Sequence, residues 1–216
     1  GWENHVKLWS GIGMACDIVM YDKGKYDESL VCDASMISGF WAYKGKKLSK
    51  WIYPLCNNSE LRIKIFGHGW SIIQGLGPIP ENYASSVWRN TKVNLQIHEP
   101  QAELGYECSE RTFKVIGTGN FLISDYVTAL DENYFKEGEI VLASYAEDYY
   151  DAVVHFIRNP DERLPYIERG QKRVLSEHTY HDRAQEILER LGLTSDGSLD
   201  RVKHEIIAQK FPGVLQ

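Results

Sequence analysis

Short apolar runs alternate with helical stripes from Ala34 to Ala143, and this rhythm constrains the fold more than any other feature of the chain. Ala34 to Phe40 reads as a strand. Leu48, Trp51, Ile52 and Leu55 then recur at i, i+3, i+4 and i+7, the stripe of a helix over Lys47 to Cys56 that Pro54 should stop early. Leu61 to Phe66 alternates up to Gly67 and predicts a second strand. Pro80 to Asn90 predicts a helix with proline in its first turn. Val93 to His98, Asn120 to Ser124 and Glu139 to Ala143 predict three more strands, with a short helix around Phe113 and Ile116. Such repetition defines an α/β chain: a Rossmann-like parallel sheet flanked by helices. Beyond Ala143 the stripes are helical only. Tyr149 to Ile157 is broken by Asn159-Pro160, and Leu164 to Leu175 continues it. Thr179-x-x-Asp182 forms a capping-box pattern ahead of a helix that Gly192 ends, and a C-terminal helical extension follows.

An apolar share of 43% is ample for a core, and a net charge of −6 argues against a nucleic-acid or polybasic membrane-surface binder. No apolar run has the length of a membrane span. Cys16, Cys32, Cys56 and Cys108 lie far apart without a C-x-x-C pair. Buried thiols in a reducing, cytoplasmic compartment are expected, not disulfides or zinc. Residues 2–9 read as a helix end arriving from an earlier segment. The expected division is 1–12 as the end of that segment, 13–191 as the Rossmann-like domain and 192–216 as the extension.

Parallel sheets bind ligands in the crevice beyond the carboxyl ends of their strands. That rule selects the loops Gly39–Lys47, Gly67–Gly77, His98–Ser109 and Asp125–Thr128. In the first, Lys44, Lys46 and Lys47 at a helix start suit an anion, or are the wet face of that helix. In the second, Gly67, His68 and Trp70 suit a flat ring, or are a turn with its tryptophan folded onto the core. The third runs from His98 to Ser109, an N-cap for the helix that follows. Arg111 reads as a phosphate fork or as the partner of Glu107 or Glu110. Glu99, Glu103, Glu107 and Glu110 weigh against a purely anionic ligand, and one of them could act as a base or accept a sugar hydroxyl. No dinucleotide fingerprint, Walker loop, nucleophile elbow or H-E-x-x-H is present, which disfavours a dinucleotide-dependent oxidoreductase. His178 and His181 lack a third ligand candidate and read as surface or capping residues. No cofactor and no metal are expected.

The run ERTFKVIGTGNFLISDYVTALDENYFKEGEIVLASYAEDYYDAVVHFIRNPDERLPYIERGQKRVLSEHTYHDRAQEIL resembles the C-terminal half of spore-maturation (CgeB-like) glycosyltransferases, with SEHTYHDRA among its most specific pieces. MACD, SGFWAYKGKKL, KIFGHGW and VNLQIH match the same family in order, so the similarity covers about Gly13 to Leu191. The resemblance implies a two-Rossmann GT-B enzyme of which this chain is the donor-binding half. Its ligand would be a nucleotide-diphospho-sugar, and its partner an N-terminal GT-B domain or a separate acceptor-binding protein. Lys44 or Lys47 would contact diphosphate, and the loop from His98 to Arg111, with Ser109 and Glu110, would lie against diphosphate and sugar. Asp125 would stand at the mouth of the crevice. Where relatives often carry a glutamate that accepts the ribose hydroxyls, this chain has Lys114, which accepts no hydrogen bond. Either Lys114 turns to phosphate, or the nucleotide pocket is altered and the domain is a non-catalytic binding module. The helix at 179–191 would cross back to the first domain, and the isolated half would turn over poorly.

Overall fold

The computed structural model describes residues 11–70, 75–104 and 108–215. All five predicted strands form: β1 (Cys32–Ile37), β2 (Ile63–Phe66), β3 (Thr91–Gln96), β4 (Leu122–Asp125) and β5 (Val141–Ala143). Every pairing is parallel and the sheet order is β2-β1-β3-β4-β5. The chain moves outward from β1 to β2, then returns past β1 to β3. The switch point therefore lies between the carboxyl ends of β1 and β3, where ligands of doubly wound sheets sit. β4 lies between β3 and β5 and is buried at all four positions, the polar Ser124 and Asp125 included.

The helices α1 (Ala42–Trp51), α2 (Tyr53–Cys56), α3 (Ala84–Arg89), α4 (Glu110–Gly117), α5 (Ala146–Arg158), α6 (Leu164–Glu177), α7 (Tyr180–Arg190) and α8 (Ser198–Lys210) cover the sheet. One face packs Leu48, Trp51 and Leu55 with Tyr149, Val153 and Phe156 of α5 against Ala34, Leu95 and Ile123. The other packs Phe113 and Ile116 of α4 with Val174 and Leu175 of α6 and Ile207 of α8 against Leu122. Burial of these side chains stabilises the sheet by ~1.5–3 kcal/mol each.

Several boundaries differ from expectation. β1 stops at Ile37, so Ser38 to Phe40 belong to the loop. β3 runs from Thr91 to Gln96, which places His98 in the loop beyond the strand. The expected single helix over 47–56 begins earlier and splits, because Pro54 has no N–H to give Lys50 and instead sits in the first turn of α2. A π-helix at Leu130–Tyr134 has no counterpart in the predicted elements. The capping box forms as predicted: Thr179 Oγ accepts from the Asp182 amide, and Asp182 Oδ2 accepts from the Thr179 amide. Residues 2–9 lie outside the described residues.

Gly119 (φ +80°) makes the turn from α4 into β4, and a Cβ there would lie 2.8 Å from Gln171 Nε2. The first described residues are tied to the α6–α7 junction. The Cys16 amide donates to the His178 carbonyl at 2.8 Å, and Arg183 donates to the carbonyls of Gly13 and Met14 at 3.0 Å. Of the two expectations for His178, surface or capping, the second holds: it is the buried C-cap of α6. It lies against Phe113, Tyr134 and Phe135, and burial pushes its imidazole pKa down. Burial raises the Cys16 thiol to about 12.

Candidate active site

The loops at the carboxyl ends of β1, β3 and β4 meet at the switch point. Asp125 ends β4 with only 1% of its surface exposed. Its carboxylate accepts from the His98 amide at 3.0 and 3.1 Å, sits 2.8 Å from His98 Nδ1, and pairs with the Lys47 ammonium of α1 at 2.8 Å. Burial alone would raise the carboxyl pKa. His98 and Lys47 overcome that and hold it below the usual range, so Asp125 is ionised and only accepts. His98 therefore carries its proton on Nδ1, leaving Nε2 to face its surroundings. That Nε2 is buried and has no hydrogen-bond partner among the described residues.

The next layer is built around Lys44. Its ammonium is 3.0 Å from Glu99 Oε1 and 3.5 Å from Ser38 Oγ, and its side chain is 1% exposed. Burial lowers its pKa and Glu99 opposes this. Lys44 is thus not on a wet helix face, whereas Lys46 is exposed. The second carboxylate oxygen of Glu99 is buried without a partner. Arg111, in the first turn of α4, donates from Nη1 to Gln96 Oε1 at 2.8 Å, and burial lowers its pKa. Gln96 is a site residue that sequence reasoning missed. Its only signal is a polar letter at the carboxyl end of a strand, in one line with Asn94 two residues before it. Three cations (Lys44, Lys47, Arg111) therefore meet two carboxylates (Glu99, Asp125). Two helix N-termini add positive potential. That of α1 has no side-chain cap, and that of α4 is capped by Ser109, which accepts from the Arg111 amide at 3.3 Å.

The glycine loop closes the other side. Gly67 (φ +137°) lies so near the β1 loop that a Cβ would be 2.2 Å from the Ser38 carbonyl oxygen, which forbids any side chain. His68 is exposed. Trp70 is buried, donates from its indole to the Ser38 carbonyl at 2.6 Å and packs edge-on against Phe40. It holds the two loops together as part of the core.

Glu110 and Lys114 form a separate cluster one turn along α4. Lys114 pairs with Glu110 at 2.7 Å and Glu81 at 3.1 Å, and stands 4.7 Å above the Tyr21 ring. Tyr180 donates to Glu110 at 2.8 Å, and Tyr21 donates to Glu81. Burial would lower the Lys114 pKa, and its acidic partners and Tyr21 carry it above the ordinary lysine range. Burial, reinforced by Glu81, lifts Tyr21 to about 12. Glu107 lies outside the described residues.

The strand order, the crossovers and the crevice at the switch point define a Rossmann-like, doubly wound α/β domain. A family profile described as "Glycosyl transferase-like" matches residues 46–189, and the chain belongs to that family. Solved structures agree on the fold. Sucrose-phosphate synthase from Thermosynechococcus elongatus superposes with a TM-score of 0.59 at 12% identity, covering 90% of this chain and 52% of that one. Anabaena Alr3699/HepE, solved in complex with UDP-glucose, gives 0.61 at 10% identity, with 82% and 56% coverage. The C-terminal domain of the LpcC group 1 glycosyl transferase from Francisella tularensis gives 0.51 at 11% identity, with 76% and 99% coverage. The chain thus spans about half the length of the first two. Comparison with curated protein sequences gives no match. Among the described residues no helix is long and apolar enough to cross a membrane, and no three His, Cys, Asp or Glu side chains group to hold a metal.

Proposed function

We propose that this chain is the donor-binding half of a CgeB-like GT-B glycosyltransferase, acting in the cytoplasm on a nucleotide-diphospho-sugar. The observation that carries the reading is the pair of unpartnered buried atoms at the switch point, His98 Nε2 and Glu99 Oε2, beside Lys44, Lys47 and Arg111. A buried polar atom without a partner costs ~1–3 kcal/mol, and a ligand would remove that cost. Sugar hydroxyls can donate to both atoms. The diphosphate would lie against Lys47, Arg111 and the N-termini of α1 and α4, which would stabilise the charge that develops on the departing group without a metal ion. Lys44 would support the site through Glu99, since its ammonium is already committed to that carboxylate. An N-terminal domain or partner would supply the acceptor and exclude water.

Titration calorimetry with UDP-, GDP- and dTDP-sugars tests this. Saturable binding of one of them is expected, with UDP-glucose as the first candidate because the HepE structure contains it. A folded protein that binds none of them would overturn the reading. A second reading, a non-catalytic binding module, is favoured by Lys114. Its pairs with Glu81 and Glu110 occupy the position where the resemblance would place a ribose acceptor.

A further inference from the structure

A second concavity lies at the opposite end of the sheet, under the amino ends of β3 and β4. Its volume is about 400 Å³, and its walls come from the α3–β3 turn, the α4–β4 turn and the α5–α6 connection. Four charged side chains line it, Lys23, Arg89, Lys92 and Arg163, and all four are basic. The chain as a whole carries 30 acidic residues against 24 basic ones, so this wall runs counter to its overall charge.

Arg163 is the organising residue. It is half-buried, and its guanidinium is held by two backbone carbonyls, Nε on Pro160 at 3.3 Å and Nη1 on Lys92. Among the described residues no carboxylate lies within ion-pair distance of it, and none lies within that distance of Lys23 or Arg89. Lys92 is neutralised by Asp33 at 2.7 Å. The carboxyl ends of α3 and α4 point at the cavity and offset part of the rest. Four cations, less one for Asp33 and about one for two helix ends of about −0.5 each, leave a net charge of roughly +2, which Asp161 near Arg163 reduces without cancelling. A guanidinium fixed in orientation by backbone carbonyls, with no carboxylate within ion-pair distance, beside two exposed cations, suits a doubly charged phosphoryl group. Leu164 and Ile167 give the cavity an apolar wall beside that charge.

We propose that this cavity binds the phosphoryl group of a small phosphorylated metabolite, at a site separate from the switch-point crevice and independent of the donor reading. Arg163 provides the fixed fork, and Lys23 and Arg89 close over the anion.

The test is titration calorimetry of the whole chain with orthophosphate and, separately, with glucose 1-phosphate. Wild-type protein binds one or both, more weakly as salt is raised. An Arg89→Gln, Arg163→Gln double variant loses at least tenfold in affinity, whereas Lys47→Ala, in the crevice, leaves this binding unchanged. Tighter glucose 1-phosphate identifies an organic phosphate, and equal affinities identify the free ion. Absence of binding, wild-type affinity in the double variant, or loss of binding in Lys47→Ala would each overturn the proposal. If Arg163→Gln fails to fold, Lys23→Gln with Arg89→Gln carries the same test, because both side chains are exposed.

Discussion

Replacing Asp125 by Asn keeps the shape of the side chain and removes its charge. The wild-type carboxylate holds the His98 amide, the His98 ring and the Lys47 ammonium while almost fully buried. The variant's amide oxygen can keep the backbone contact, but the two charge-assisted ones weaken. The buried His98 contact is worth ~1.5–3 kcal/mol. Lys47 is 18% exposed and can reach water, so its pair counts for ~0–1 kcal/mol. The expected loss is ~1.5–4 kcal/mol at pH 7, which for a domain of this size lowers Tm by roughly 3–16 °C. The pH dependence follows from the depressed carboxyl pKa of Asp125. Its stabilisation is complete above the unfolded carboxyl value of ~3.9 and disappears as pH falls through the lower folded value. The gap between wild type and Asp125→Asn should therefore narrow in acid. Thermal unfolding followed by circular dichroism between neutral and acid pH measures it. A Tm difference under about 2 °C at pH 7, or one that does not shrink in acid, would refute the assignment of Asp125 as a buried ionised acceptor.

Lys47→Ala and Arg111→Ala should each weaken nucleotide-sugar affinity by ~1.5–3 kcal/mol in calorimetry, and unchanged affinity in both removes the proposed donor site. Leu122→Ala opens a cavity at β4, an interior strand, and should cost ~2–5 kcal/mol, read as a lowered urea midpoint at constant slope. Lys114→Glu would set three carboxylates against one another at Glu81 and Glu110. Its Tm should fall, and a Tm equal to wild type would show that the Lys114 cluster does not hold α4 to its neighbours.

The sheet was legible because short apolar runs mark the strands and helical stripes mark the first three crossovers, whereas the π-helix between β4 and β5 left no stripe. Leu48, Trp51, Ile52 and Leu55 all point into the core as their spacing requires. Strand ends were less legible, since Thr91 and Lys92 pair in β3 though neither is apolar, and His98 falls outside it. Within the site, the fate of each lysine depended on partners distant in sequence. Lys44 and Lys46 look alike as letters, yet one meets Glu99 and is buried while the other faces water. The Lys114 cluster was illegible for the same reason, because Tyr21 and Glu81 reach it only after the chain has wound around the sheet.

The bond between Cys16 and His178 has a folding consequence. Nearly the whole domain forms the loop that this contact closes, and loop closure of that span precedes any reward from the contact. During synthesis the partner of Cys16 has not yet left the ribosome while the five strands emerge. The clasp at the domain's corner therefore closes after the strands have emerged, and a chain halted before His178 keeps that corner open.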